Sequence, residues 1–269
     1  MNILFVGDIY GRPGRLGLKK AMPELRERYQ PDLVIVNAEN SAGGKGVTDA
    51  TCRELLGLGA DVLTGGNHSL QQRGCDALFD DETRLLRPAN FPPGTPGRGW
   101  GVYESAAGFP VAVLNVCGRA FMEHFDDPFR AVDQLVHLAR RETPIVVLDF
   151  HAETTSEKIA MGWYLDGRVT AVIGTHTHVQ TADERVLPGG TGYITDTGMT
   201  GPYDSVIGTD KEIVLQRLLT MRAAKFETAE PRDVRVCGLF IEADPISGLA
   251  RRVERVRVDL GDLPTGAAK

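Results

Sequence analysis

Residues 174–178 read Gly-Thr-His-Thr-His, two histidines two positions apart at the end of the apolar run 169–174. That run, Val-Thr-Ala-Val-Ile-Gly, has the composition of a buried strand, which puts His176 and His178 just past its end. Side chains two residues apart on extended backbone point the same way. Two imidazoles aimed at one spot are a metal-ligand arrangement, because each neutral ring offers one lone pair while its other nitrogen can be tied down. Two polar loop residues that happen to be histidine are the bland alternative.

The rest of the chain weighs against that alternative. Residues 2–7 lead to Asp8, 33–38 to Glu39 and Asn40, 62–66 to Asn67 and His68, and 145–150 to His151. Each run is short and aliphatic or β-branched, and each closes on an oxygen or nitrogen donor. In open α/β sheets, ligands bind beyond the carboxyl ends of the strands. Asp8, Glu39, Asn40, Asn67, His151, His176 and His178 are too many donors for one tetrahedral ion and suit two ions that share a carboxylate. Carboxylate, amide and imidazole together fit iron, manganese or zinc without any thiolate. Paired ions about 3.5–4 Å apart clamp the attacking and leaving oxygens of a phosphoryl displacement.

Gly7-Asp8, Asn37-Ala38-Glu39-Asn40, Gly66-Asn67-His68, His151 and Gly174-Thr175-His176-Thr177-His178 resemble, in order, the motif set of the calcineurin-like metallophosphoesterases. Two positions depart from the general pattern of that superfamily. Tyr10 stands where most members carry a metal-binding histidine, and Glu39 with Asn40 replaces the usual bridging aspartate. Those departures, with the stretches 118–122 and 197–202, are similar to the YmdB-like phosphodiesterases. The resemblance implies that Asp8, Asn40 and His178 hold a first metal, that Asn67, His151 and His176 hold a second, and that Glu39 bridges them. It implies an αββα sandwich of two mixed sheets flanked by helices, two divalent ions per chain with iron foremost, and a small phosphodiester substrate. Cyclic nucleotides, 2′,3′ or 3′,5′, are the class it points to, attacked by a hydroxide between the metals.

His68 follows a ligand directly, so its side chain leaves the backbone in another direction. An imidazole free in water ionises near about pH 6.5, which suits a general acid for a departing alkoxide, and that is the role the family counterpart implies. A hydrogen-bonding support for a ligand is the alternative. Tyr10 is read either as a ring packed over the site or as a functional hydroxyl. His124 and His137 belong to no motif, and His137 is expected on a solvated helix face.

The 269-residue length suits one domain over 1–269, with 42% hydrophobic and 25% charged residues as in ordinary globular proteins. A net charge of −6 argues against binding duplex nucleic acid, while bound metals could still attract small anions. Cys52, Cys75, Cys117 and Cys237 show no paired spacing and read as reduced thiols. No signal-peptide pattern and no membrane-length apolar run are present, so a cytoplasmic location without a membrane partner is expected. A homo-oligomer is compatible with the sequence.

The elements that must position these residues alternate. Strands are expected near 2–7, 32–38 and 61–65, with helices near 13–28, 48–57 and 72–80. Thr48 or Asp49 could cap the second helix. Residues 84–99 carry several prolines and form an irregular connection. Strands at 101–105 and 111–116 follow, then helices near 128–141 and 155–165 around the His151 strand. Thr154 with Glu157 suggests a capping box. A hairpin across 188–190, a helix near 210–224 and strands near 233–243 and 250–260 close the chain. The arginines around 255–260 alternate with apolar residues, as on an exposed strand face.

The loop 117–127 holds Arg119, Phe121, Met122, His124 and Phe125, and could cover a base and a phosphate or simply bury its aromatics. Functional alternatives to the dimetal phosphodiesterase are a phosphomonoesterase and a metal- or nucleotide-binding regulator with little turnover. An amidohydrolase is disfavoured because its His-x-His pair would end the first strand, not follow the other ligands.

Overall fold

The computed structural model describes residues 1–265. The chain begins β1 (Asn2–Val6), α1 (Gly11–Tyr29), β2 (Leu33–Asn37), α2 (Asp49–Gly57), β3 (Val62–Thr64) and α3 (Asp76–Asp81). It continues β4 (Trp100–Glu104), β5 (Pro110–Cys117), α4 (Pro128–Glu142), β6 (Val146–His151), α5 (Thr155–Tyr164) and β7 (Ala171–Thr175). Short strands β8 (Arg185–Val186), β9 (Gly192–Ile194) and β10 (Gly201–Pro202) precede α6 (Lys211–Thr220), β11 (Val234–Ala243) and β12 (Ala250–Gly261).

These strands form two mixed sheets. In the first, β1 pairs parallel with β2, which pairs parallel with β3, while β11 joins β1 antiparallel and β12 joins β11. In the second, the order is β4-β5-β6-β7-β9-β8, with β5, β6, β7 and β9 parallel. Strands covered on both faces need apolar side chains in both directions, which explains their continuous aliphatic runs. In β1, Ile3 and Phe5 enter a core between the sheets with Ile35, Val147 and Ile173. Leu4 and Val6 face the other way, against Leu18, Leu25 and Leu55 of α1 and α2. The outer face of the second sheet packs Leu114, Leu148 and Phe150 against Val132 and Val136 of α4. The layers are therefore helix, sheet, sheet, helix, the αββα sandwich expected.

Several local readings change. The third helix starts at Asp76 rather than near 72, after Gly74 at φ 75°. The last helix ends at Thr220 because Met221 turns into a left-handed cap at φ 57°. Thr48 does cap α2, its hydroxyl accepting from Thr51 N. Thr154, by contrast, makes no capping bond. Its expected partner Glu157 instead accepts from the backbone amides of Arg119 and Ala120, fastening the 117–127 loop to α5. In the irregular 84–99 connection, the Arg87 guanidinium donates to the carbonyls of Pro88, Thr95, Pro96 and Gly97. Along β12, Val256 and Val258 are buried while Arg257 is exposed beside Asp259, as the alternation predicts. His137 is exposed, and the four cysteines are free and buried. Among the described residues, no helix is long and apolar enough to cross a membrane.

Candidate active site

The parallel strands of both sheets deliver their C-terminal ends to one rim. Asp8 follows β1, Glu39 and Asn40 follow β2, and Asn67 follows β3. From the second sheet come His151, the last residue of β6, and the two histidines beyond β7. All the expected donors meet there, in two groups.

The first group centres on His151. Its Nε2 lies 3.0 Å from His176 Nδ1, 3.2 Å from Asn67 Oδ1 and 3.2 Å from Glu39 Oε2. Donors sharing one ion with bonds of about 2.1 Å sit about 3.0–3.4 Å apart, so this crowding fits a metal. Glu39, His151 and His176 can hold a metal ion together. The second group is Asp8, Asn40 and His178. His178 Nε2 is 4.0 Å from Asp8 Oδ1 and 3.2 Å from Asn40 Nδ2. Asp8 Oδ1 is buried and has no hydrogen-bond partner. A carboxylate oxygen left bare in the interior is costly, and a cation beside it removes that cost. Glu39 lies between the groups, its Oε2 towards His151 and its Oε1 accepting from Asn40 Nδ2 at 3.0 Å.

Supporting bonds decide which ring nitrogens are free. Thr175 Oγ1 donates to Asp149 Oδ1 at 2.7 Å, so His151 Nδ1 donates to Thr175 at 2.9 Å and Nε2 faces the donors. Asp149 also accepts from Thr64 and Asn37. His178 Nδ1 donates to the Ile207 carbonyl at 2.9 Å, leaving its Nε2 towards Asp8 and Asn40. Burial would push the His151 imidazole down, but the Glu39 carboxylate, followed by Asp8 and Asp149, pushes it up to about 9. Burial and then the His151 charge hold His176 down, to about 3. Burial raises Asp8, and raises Asp149 to about 6.

The His-x-His pair does not sit on extended backbone. β7 ends at Thr175, and His176 and His178 both take positive φ, 97° and 65°. The rings therefore divide between the two groups instead of meeting at one spot. Asp196 enforces the turn, accepting from Thr177 N at 3.1 Å and Thr177 Oγ1 at 2.7 Å, and from Lys158 Nζ at 2.7 Å. Gly66 supplies close approach: a Cβ there would lie 2.0 Å from Glu39 Oε2.

His68 stands apart from both groups, its Nδ1 2.9 Å from Asn40 Oδ1 and 3.3 Å from Glu39 Oε1. In this arrangement the Asn40 amide presents its oxygen to His68 and its nitrogen to Glu39 and His178; a half-turn of the amide would exchange them. The Tyr10 ring packs edge-on against His178, centroids 5.6 Å apart, and its hydroxyl bonds Thr209 at 2.8 Å. A cavity of about 370 Å³ opens at the donors, bounded by Glu39, Asn40, His68, His176 and His178 and also by Ile207, Thr209 and Phe226. Neither Phe121 nor Phe125 bounds it. Phe121 is 91% exposed and Phe125 stacks on Phe91 at 4.9 Å.

Sequence reasoning missed Asp149, Asp196, Lys158 and Glu153, which reaches His176 Nε2 at 3.0 Å. Signals existed for two of them. Asp149 interrupts an aliphatic strand, and Asp196 closes the β9 run as the ligands close theirs.

Two mixed sheets in an αββα sandwich, with carboxylates, amides and imidazoles on their shared rim, define a metallophosphoesterase-like α/β protein. Residues 4–256 match the YmdB-like protein family, and the chain belongs to that family. It is 47% identical to the 2′,3′-cyclic-nucleotide 2′-phosphodiesterase of Bacillus subtilis (strain 168), over 96% of this chain and 97% of the relative. A solved structure of a hypothetical protein from Thermus thermophilus is 41% identical, with TM-score 0.90 over 96% of this chain and 99% of that one. A structure described as a novel phosphatase from Mycoplasma pneumoniae is 34% identical, with TM-score 0.91 over 97% and 94%.

Proposed function

We propose that this protein is a dimetal phosphodiesterase acting on cyclic nucleotides, with His68 as the general acid. By its kinship the chain is a phosphoric diester hydrolase; its substrate, metal number and residue roles are our reading. The observation that carries it is Glu39, whose two oxygens divide between the His151 group and the Asn40 group beside the unpartnered Asp8 Oδ1.

On this reading Asp8, Asn40 and His178 hold one ion, Asn67, His151 and His176 the other, and Glu39 bridges. Bound divalent ions would supply Lewis acidity and a positive field for an anionic phosphodiester. The absence of thiolate among these donors favours iron, manganese or zinc. The chain's own residues do the rest. Thr175 and Asp149 hold the His151 tautomer, and the Ile207 carbonyl holds that of His178. His68, steadied by Asn40 and Glu39, faces the cavity. In hydrolysis a water oxygen bonds to phosphorus and gives up a proton to solvent, and the bond from phosphorus to a ribose oxygen breaks. That oxygen takes a proton from the protonated His68, which solvent then reprotonates. The relative's name favours 2′,3′-cyclic over 3′,5′-cyclic substrates.

Elemental analysis of protein prepared without chelator is expected to find about two equivalents of such metals, and turnover of 2′,3′-cyclic AMP is expected to exceed that of AMP. Full activity in metal-free protein would overturn the dimetal reading. Preference for the monoester would overturn the diesterase reading alone.

A further inference from the structure

The cavity is bounded by apolar residues as well as by the donors: Phe226 and Ile207 line it, 45% and 54% exposed. Both belong to the excursion between β10 and β11, which carries α6. That helix buries none of its residues. The two arms of the excursion are tied to each other where Asp210 N donates to the Glu227 carbonyl and Ala229 N to the Gly208 carbonyl, both at 2.9 Å. The Arg217 guanidinium of α6 lies 5.1 Å from the Phe226 ring centroid, steadying the ring.

Ile207 has a positive φ of 48°, strained for a β-branched residue. The same residue offers its carbonyl to His178 Nδ1. One backbone position thus orients a histidine of the donor rim and presents an aliphatic side chain to the cavity.

We propose that Phe226, with Ile207 beside it, is the seat of the nucleobase. This rests on the cyclic-nucleotide reading above. A phosphodiester bound at the rim carries its ribose and base away from the donors, and of the two aromatic rings bounding the cavity Phe226 is exposed whereas Tyr10 is buried. Stacking on a ring is tolerant of base identity, because every base has a π-face. The seat therefore selects for the presence of a base and discriminates little among the four, with purines favoured by their larger area.

The test compares wild type, Phe226→Ala and Phe226→Trp on 2′,3′-cyclic AMP and on methyl riboside 2′,3′-cyclic phosphate, the same reacting ring without a base. Phe226→Ala is expected to raise KM for cyclic AMP about tenfold at nearly constant kcat, with no change on the base-free substrate. Phe226→Trp is expected to restore KM. Equal effects on both substrates, or a fall in kcat alone, would overturn the seat. Calorimetric affinity for 2′,3′-cyclic AMP reads the seat without turnover: about tenfold weaker binding in Phe226→Ala supports it, and equal affinity overturns it. Wild-type protein that binds the nucleotide but hydrolyses neither substrate sinks the diesterase reading and leaves the seat to the affinity comparison.

Discussion

His68 is distinguished from the other histidines of the rim by what it touches. His151 and His176 crowd each other and Glu39, whereas His68 meets an amide oxygen and one carboxylate oxygen and lies at the cavity. A general acid matters in proportion to the basicity of the oxygen that leaves. His68→Ala is expected to lower kcat on 2′,3′-cyclic AMP by roughly 10²–10⁴-fold, to lower it much less on a nitrophenyl diester, and to leave metal content unchanged. Steady-state rates on the two substrates, with elemental analysis of the variant, check it. An equal loss on both would assign His68 a positioning role instead. Tyr10 is a packed ring: it is buried, edge-on to His178, and its hydroxyl is held by Thr209. Gly208, at φ 99°, would put a Cβ 2.5 Å from that ring, so glycine there is required twice over.

At the scale of elements, the turn after β7 depends on a buried ion pair outside the donor set. Lys158 on α5 and Asp196 beyond β9 are both buried, and Asp196 also accepts from Thr177 between the two histidines. Removing one partner of such a pair leaves an uncompensated interior charge, at a cost of about 3–5 kcal/mol. Lys158→Ala is therefore expected to lower the denaturation midpoint and to reduce kcat by loosening the left-handed His176 and His178 backbone. Chemical denaturation and turnover of the same preparation test this. Unchanged activity in a destabilised variant would show that the turn holds without the pair. The 117–127 loop illustrates the reverse case. In sequence its aromatics could cover a substrate or bury themselves, yet Glu157 pins its start to α5 and Glu123 meets Asn67 at 3.2 Å, while Phe121 is exposed.

For the whole molecule, the donors span the sandwich. Asp8, Glu39, Asn40 and Asn67 come from the first sheet, His151, His176 and His178 from the second. On the proposed assignment an ion links the sheets, and because it binds only the folded chain, chelation is expected to lower Tm. The effect depends on pH through His151. Without metal that ring is raised to about 9, above its value in the unfolded chain. Its contribution to stability is thus fully present below about pH 6.5 and is lost as pH rises through about 9. A metal needs the neutral ring, so binding at pH 7 displaces this proton, and metal affinity rises with pH up to that value. Calorimetry in buffers of different ionisation enthalpy is expected to find about one proton released at pH 7 from this ring. Zero release would contradict the His151 assignment.

Most of the order of elements and the candidate donors were legible in the sequence because each depends on local pattern, while the αββα class came from the family resemblance. Aliphatic runs mark strands buried on both faces, and a polar residue closing each run can only lie at a strand end. An expected cap failed where its side chain found a distant partner. Glu157 left its capping position for the backbone of Arg119 and Ala120. Only the tertiary structure decided the rest. Asp149 and Asp196 stand out in sequence only as polar residues in or after aliphatic runs, and become supports because β6, β7 and β9 are neighbours. His176 and His178 diverge because Asp196, 18 or more positions later, bends the chain between them. Phe226 reaches the cavity from an excursion that local pattern reads merely as a helix. Periodicity records which way a side chain points along its own element; it holds no record of which elements meet, and the chemistry of this rim is made by that meeting.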